Sequence, residues 1–168
     1  MPRTGYLKGI VASATLTPST TVYTKGDIIG GKATFPNIVD QDFGGVRLIS
    51  AQLIDTSTVT PVPYKLMLWG KDMTASGTGT GTVWTDNSAF DAYDSDLANI
   101  GAVVSFATSN LTQLADNQIW NTADINQNID VTSSDRAIYG ALIAASTGGG
   151  AFTSGGTLTI NLNFERLE

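Results

Sequence analysis

Two glycine-bearing stretches and one acidic stretch hold the residues that could do chemistry. VYTKGDIIGGKATF, residues 22–35, sets Gly26, Gly30 and Gly31 between Tyr23 and Phe35, with Asp27 among them. Glycines at that density can cradle a phosphate. A dinucleotide fingerprint, however, needs them directly after a strand and opening a helix whose N-terminus meets the pyrophosphate. Here Gly30-Gly31 runs into KATFPNI, where Thr34 and Phe35 are β-formers, Pro36 cannot continue a helix and no apolar helical stripe follows. The stretch reads as a strand that bends or bulges at the glycine pair. SGTGTGT (76–82) lacks both a Walker lysine-threonine pair and an adjoining helix, and reads as a loop.

DNSAFDAYDSD (86–96) concentrates Asp86, Asp91, Asp94 and Asp96. Clustered carboxylates suit a hard cation such as calcium, but the spacing matches no calcium loop and lacks the glycine an EF-hand needs. Short acids also form turns and cap helices, and that structural role is the reading adopted, with no metal and no cofactor expected. The chain has no histidine and no cysteine. This removes Ser-His-Asp and Cys-His catalysis, His- or Cys-ligated zinc and disulfides. A hydrolase relying on carboxylates such as Asp91 or Asp94 is a distant rival; the expectation is that the protein is not an enzyme.

Aromatic residues offer a different chemistry, that of contact. In YKLMLWG (64–70), Leu66 and Leu68 alternate with Met67 and Trp69, so both faces of a strand carry large apolar groups. Either one face lies in the core and the other under a loop, or one face meets a partner. Trp84, at the end of a Gly/Thr tract, either tucks back or anchors something. Trp84 or Trp120, near Asp and Asn residues, could instead stack on a sugar, which keeps open a carbohydrate- or receptor-binding module. In MPRTGYLKG, Arg3 and Lys8 are positive in an acidic protein. Arg3, Tyr6, Lys8, Trp69 and Trp84 are the candidates for partner contact.

These residues must be positioned by strands. β-rich runs cover 5–16, GDIIGGKATF after TTVY, 46–55, 64–70, 101–106, 129–132, 137–146 and 157–167. In the last, Leu158, Ile160, Leu162 and Phe164 alternate with Thr159, Asn161 and Asn163, the mark of a half-buried strand. About eight or nine strands punctuated by turn residues, without a long amphipathic helix, predict an all-β antiparallel sandwich of the jelly-roll kind. One or two short helical turns are expected, at 95–101 and within 110–118. Residues 71–87 and 146–156 read as loops.

Length, 168 residues, fits one domain: an N-terminal arm or first strand at 1–19 and a single sandwich over 20–168. Fifteen acids against nine bases give a net charge of −6, so binding to nucleic-acid backbones is not expected. Charged residues are only 14%, against about a quarter in ordinary domains. Thr, Ser, Asn and Gln fill the polar positions instead, giving a surface that can pack against another protein. No run is apolar enough for a signal peptide or a membrane helix, so a soluble protein is expected.

The combination Y-x-x-G-D-x-x-G-G (Tyr23, Gly26, Asp27, Gly30, Gly31), Leu53-Ile54-Asp55, P-Y-K-L-x-L-W (63–69), D-N-x-x-F-x-x-x-D-x-D-L (86–97) and G-x-V-x-x-F (101–106) resembles the head decoration, or cement, proteins of tailed bacteriophages. The resemblance spans about residues 20 to 110 and the shape of the last strand. It implies a compact, non-catalytic β-sandwich or jelly roll, often trimeric, that sits on the outside of an assembled capsid. There it bridges neighbouring major capsid protein subunits against the pressure of packaged DNA. The virion surface is then its location, after synthesis in the host cytoplasm. A minor tail or neck protein would share the same fold.

Overall fold

The computed structural model describes residues 9–40, 44–57, 62–73, 84–92, 97–114, 117–132, 134–146 and 152–167. Among them run the strands β1 (Gly9–Leu16), β2 (Ile28–Phe35), β3 (Gly44–Asp55), β4 (Tyr64–Trp69), β5 (Ala102–Phe106), β6 (Leu111–Leu114), β7 (Asn117–Thr122), β8 (Gln127–Val131), β9 (Ile138–Ala144) and β10 (Leu158–Leu167). One sheet follows the order β1-β10-β3-β7-β6, with β8 also paired to β3; the other follows β2-β9-β4-β5. All pairings are antiparallel.

The winding has a simple rule. Set aside the β6–β7 hairpin and the chain pairs its ends inward: β1 with β10, β2 with β9, β3 with β8, β4 with β5. Successive pairs alternate between the two sheets, which is a long hairpin rolled around a shared core, a jelly roll. The long β3 makes room for the extra hairpin. Its first half, Gly44–Leu48, pairs with β8, and its second half, Ala51–Asp55, pairs with β7.

Alternation along each strand supplies the core. Leu158, Ile160, Leu162 and Phe164 of β10 point inward with Val46, Leu48 and Leu53 of β3; Leu66, Leu68, Val104, Phe106 and Leu142 meet them from the other sheet. Each fully buried side chain of this size contributes about 1.5–3 kcal/mol. β9 is buried along its whole length because both its faces are covered. Ile138, Leu142 and Ala144 face the sandwich, while Ala141 and Ile143 face a second apolar cluster on the outside of the four-stranded sheet.

Residues 9–16, placed by the sequence in an arm or a first strand, form β1 and pair with β10 over eight residues. The helical turn expected within 110–118 is replaced by a 3-10 turn at Thr108–Asn110 followed by the β6–β7 hairpin. Leu111 and Leu114 have helical spacing, but β3 offers an open edge that β7 fills. Trp120 then gains complete burial opposite Leu53. Near 95–101, Ile100 N–H bonds the Leu97 carbonyl at 3.3 Å, a turn; residues 93–96 lie outside the described residues. So do 74–83 and 147–151 of the two glycine-rich loops.

Candidate interface surfaces

The opening glycine stretch is a bulged strand. β2 matches Ile28 to Ile143 and Lys32 to Ala141, so its intervening residues outnumber those of β9. Gly30 and Gly31 absorb the excess at φ of 70° and 81°, a region that favours glycine. A Cβ on Gly30 would stand 2.6 Å from that of Leu16, so the close approach of β1 also needs glycine there.

The acidic stretch closes the same corner. Asp86 accepts hydrogen bonds from Tyr23 Oη at 2.6 Å, Ser19 N–H at 2.9 Å and Gly30 N–H at 2.5 Å. Burial, then the hydrogen bond to Asp86, raises the Tyr23 phenol well above its ordinary pKa and keeps it a donor. Asp27 accepts from the Thr24 N–H and hydroxyl. Phe90 N–H bonds the Gly26 carbonyl, and Asp27 bridges to Ala89. Gly26, Gly30, Gly31, Asp27 and Asp86 thus meet at one corner as turns and caps. Among the described residues no group of three or more acidic, His or Cys side chains could hold a metal. Asp91 is exposed, and Asp94 and Asp96 lie outside the described residues.

Both tryptophan candidates point into the molecule. Trp69 is 1% exposed, in the outer cluster with Met73, Ala141 and Ile143. Trp84 packs edge-on against it at 6.0 Å between ring centroids and donates its Nε1–H to the Met73 carbonyl at 3.0 Å. Lys32 caps the cluster: its ammonium lies 5.7 Å from the Trp84 ring, 5.2 Å from Tyr139 and 2.9 Å from the Asp72 carboxylate. Strand β4 therefore has one face in the core and the other under the 84–92 segment, and Trp84 tucks back. Trp120, the other sugar-stacking candidate, is 0% exposed and cannot meet a sugar. Arg3, Tyr6 and Lys8 lie outside the described residues.

The surface that sequence reading missed is the outer face of the larger sheet. Cross-strand register aligns Thr15, Thr159, Ile54, Ile119 and Thr112 in one row; Ser13, Asn161, Gln52 and Asn121 in the next; and Val11, Asn163 and Ser50 in a third. None carries a charge. Asn161 Nδ2 donates to Gln52 Oε1 at 3.1 Å, Gln52 Nε2 donates to Asn121 Oδ1 at 2.9 Å, and Asn163 Nδ2 donates to Ser50 Oγ at 2.8 Å. Asn161, Gln52 and Asn121 of the second row and Val11, Asn163 and Ser50 of the third line a shallow depression of about 580 Å³. Charge returns only in the fourth row, where Arg47 and Glu165 pair with each other. The signal was the T-x-N-x-N alternation of 159–163, visible in sequence, but the rows exist only once register is set.

No protein-family model matches the chain, and no curated protein matches it by sequence. Among solved structures it is similar to one of tomato aspermy virus, at 11% identity and TM-score 0.39, covering 100% of this chain and 83% of that one. It is also similar to a full particle of Israeli acute paralysis virus heated to 63 degrees, at 9% identity and TM-score 0.32, covering 95% and 71%. A structure of Desmodium yellow mottle tymovirus follows at 13% identity and TM-score 0.26, covering 100% and 94%. The jelly roll itself rests on the strand order above.

Proposed function

We propose that this chain is a structural virion protein that binds the outer surface of a shell of major capsid protein and stabilises it. The observation that carries the reading is the uncharged amide and hydroxyl face spread across five strands of a protein with net charge −6. Such a face hydrates well alone and desolvates without stripping ions, so it suits packing between large surfaces. The phage-cement resemblance supports the same role. Of its shared residues, Gly26, Gly30, Gly31, Asp27 and Asp86 serve as bends and caps here, which leaves partner contact to other residues. A standard interface buries on the order of 1,600 Å², and repetition over a shell multiplies modest contacts.

The arm residues Arg3, Tyr6 and Lys8 complement the face by reaching the shell. Of residues 1–19, those from 9 to 16 belong to β1, so the arm proposed here comprises residues 1–8. Deleting residues 1–8 is the clean test. The truncated chain should unfold at nearly the same temperature as the full chain and co-sediment with purified empty shells at least severalfold more weakly. Equal co-sedimentation of both would remove the arm from the mechanism, and absence of shell binding by the full chain would remove the function.

A further inference from the structure

We infer that β1 is the contact between two copies of this chain: their β1 strands pair antiparallel about a twofold axis at Val11, joining two large sheets into one. The inference names a self-contact for the shell protein proposed above and rests on that reading only for its place on a particle.

The argument starts from the sheet edges, because an unpaired strand edge templates another strand unless something blocks it. Among the described residues, four of the five edges are blocked. β2 is bulged at Gly30-Gly31, carries Lys32, and has Ile28 bonded to Ser88 and Asn87. β5 has its Val103 N–H bonded by Gln127 Oε1 at 2.8 Å and its Ser105 carbonyl bonded by the Thr122 hydroxyl at 3.2 Å. β6 is four residues long, and β8 is five with Asp130 exposed in it. β1 has none of these devices. It runs eight residues, GIVASATL, with no charge, no proline and no register shift, and pairs only with β10.

Charge selects a second copy as the occupant. A body of net charge −6 repels itself, so copies approach best where charge is absent. β1 itself carries no charge, and the three rows that cross it at Val11, Ser13 and Thr15 stay uncharged through β10 and β3. The backbone N–H and C=O groups along the open edge of β1 donate and accept in turn, so the edge complements a second copy of itself under a twofold.

Register follows from exposure. Directly opposed residues in an antiparallel pair point to the same face, so Val11 can face Val11 of the second copy, with Gly9 facing Ser13 and Ile10 facing Ala12. Val11 is 73% exposed, the most exposed of the large apolar side chains described, and this register covers both copies of it. The twofold departs from the trimer that the phage resemblance implies.

The chain has no cysteine, so a single introduced thiol reports only on its own neighbour. Opposed strand residues have Cα atoms about 4.5–5.5 Å apart, within disulfide reach. The full chain should have a dimeric mass at micromolar concentration. Val11→Cys should form a disulfide-linked dimer under mild oxidation, while Thr112→Cys, exposed on the opposite edge strand, should not. Val11→Lys should weaken dimerisation at least tenfold and, the side chain being exposed, leave the circular dichroism of the monomer unchanged. A monomeric or trimeric wild-type mass, no Val11→Cys dimer, or a Val11→Lys dimer as tight as wild type would each overturn the inference. Shell co-sedimentation reads separately. A dimer that ignores shells removes the function proposed above and keeps this contact, and a shell-binding monomer does the reverse.

Discussion

Asp55 is 0% exposed at the end of β3, an unusual place for a carboxyl group. One oxygen accepts from Ser57 N–H at 2.7 Å and Ser57 Oγ at 2.5 Å, and the other has no hydrogen-bond partner. Tyr64 and Trp120, in edge contact at 5.2 Å, likewise leave their buried polar atoms unbonded. Burial raises the Asp55 pKa above its ordinary value, against the opposing hydrogen bonds from Ser57. The unfolded chain then releases this proton at lower pH than the folded one. Its contribution to stability is fully present below the ordinary carboxylate value and is lost as pH rises through the folded value. The melting temperature of wild type relative to Asp55→Asn should fall as pH is raised from about 4. A difference constant with pH would show that Asp55 does not titrate differently on folding. The sequence showed Asp55 only as a motif letter. Trp120 was no more legible, because Gln118, Asn121 and Asn117 around it read as surface while β7 turns its alternate residues inward.

At the scale of elements, Asp86 ties the β1–β2 connection and the bulge of β2 to the 84–92 segment. Hydrogen bonds to a charged group contribute about 1.5–3 kcal/mol each when well made, and partial exposure reduces that, so Asp86→Ala should destabilise by about 3 kcal/mol. The urea midpoint should drop with little change in slope. A shift under about 0.5 kcal/mol would make the corner ornamental to stability. Strands with period-two patterning were legible in sequence, β10 best of all, and so was the bend at Gly30-Gly31, because Pro36 and the β-formers after it forbid a helix. The β6–β7 hairpin was not. Leu111 and Leu114 match helical spacing, and only the open second half of β3 makes a hairpin the better solution. The partnership of Tyr23 with Asp86 was hidden for a related reason: nothing local in either segment names its distant acceptor.

For the whole molecule, composition and alternation were enough to indicate a jelly roll, while strand order was not, since β1 and β10 meet from opposite ends of the chain. The uncharged face is a property of that order. It appears only when residues 11–15, 50–54, 119–121 and 159–163 are set side by side. The function proposed for it also belongs to this scale, because shell binding is an act of area and repetition. The most direct test is a reconstruction of intact particles produced with the protein present. The account predicts β-sandwich density repeated symmetrically on the outer capsid surface, with uncharged sheet faces in contact with neighbours. Particles with a bare outer shell, or with this chain confined to the tail, would contradict it.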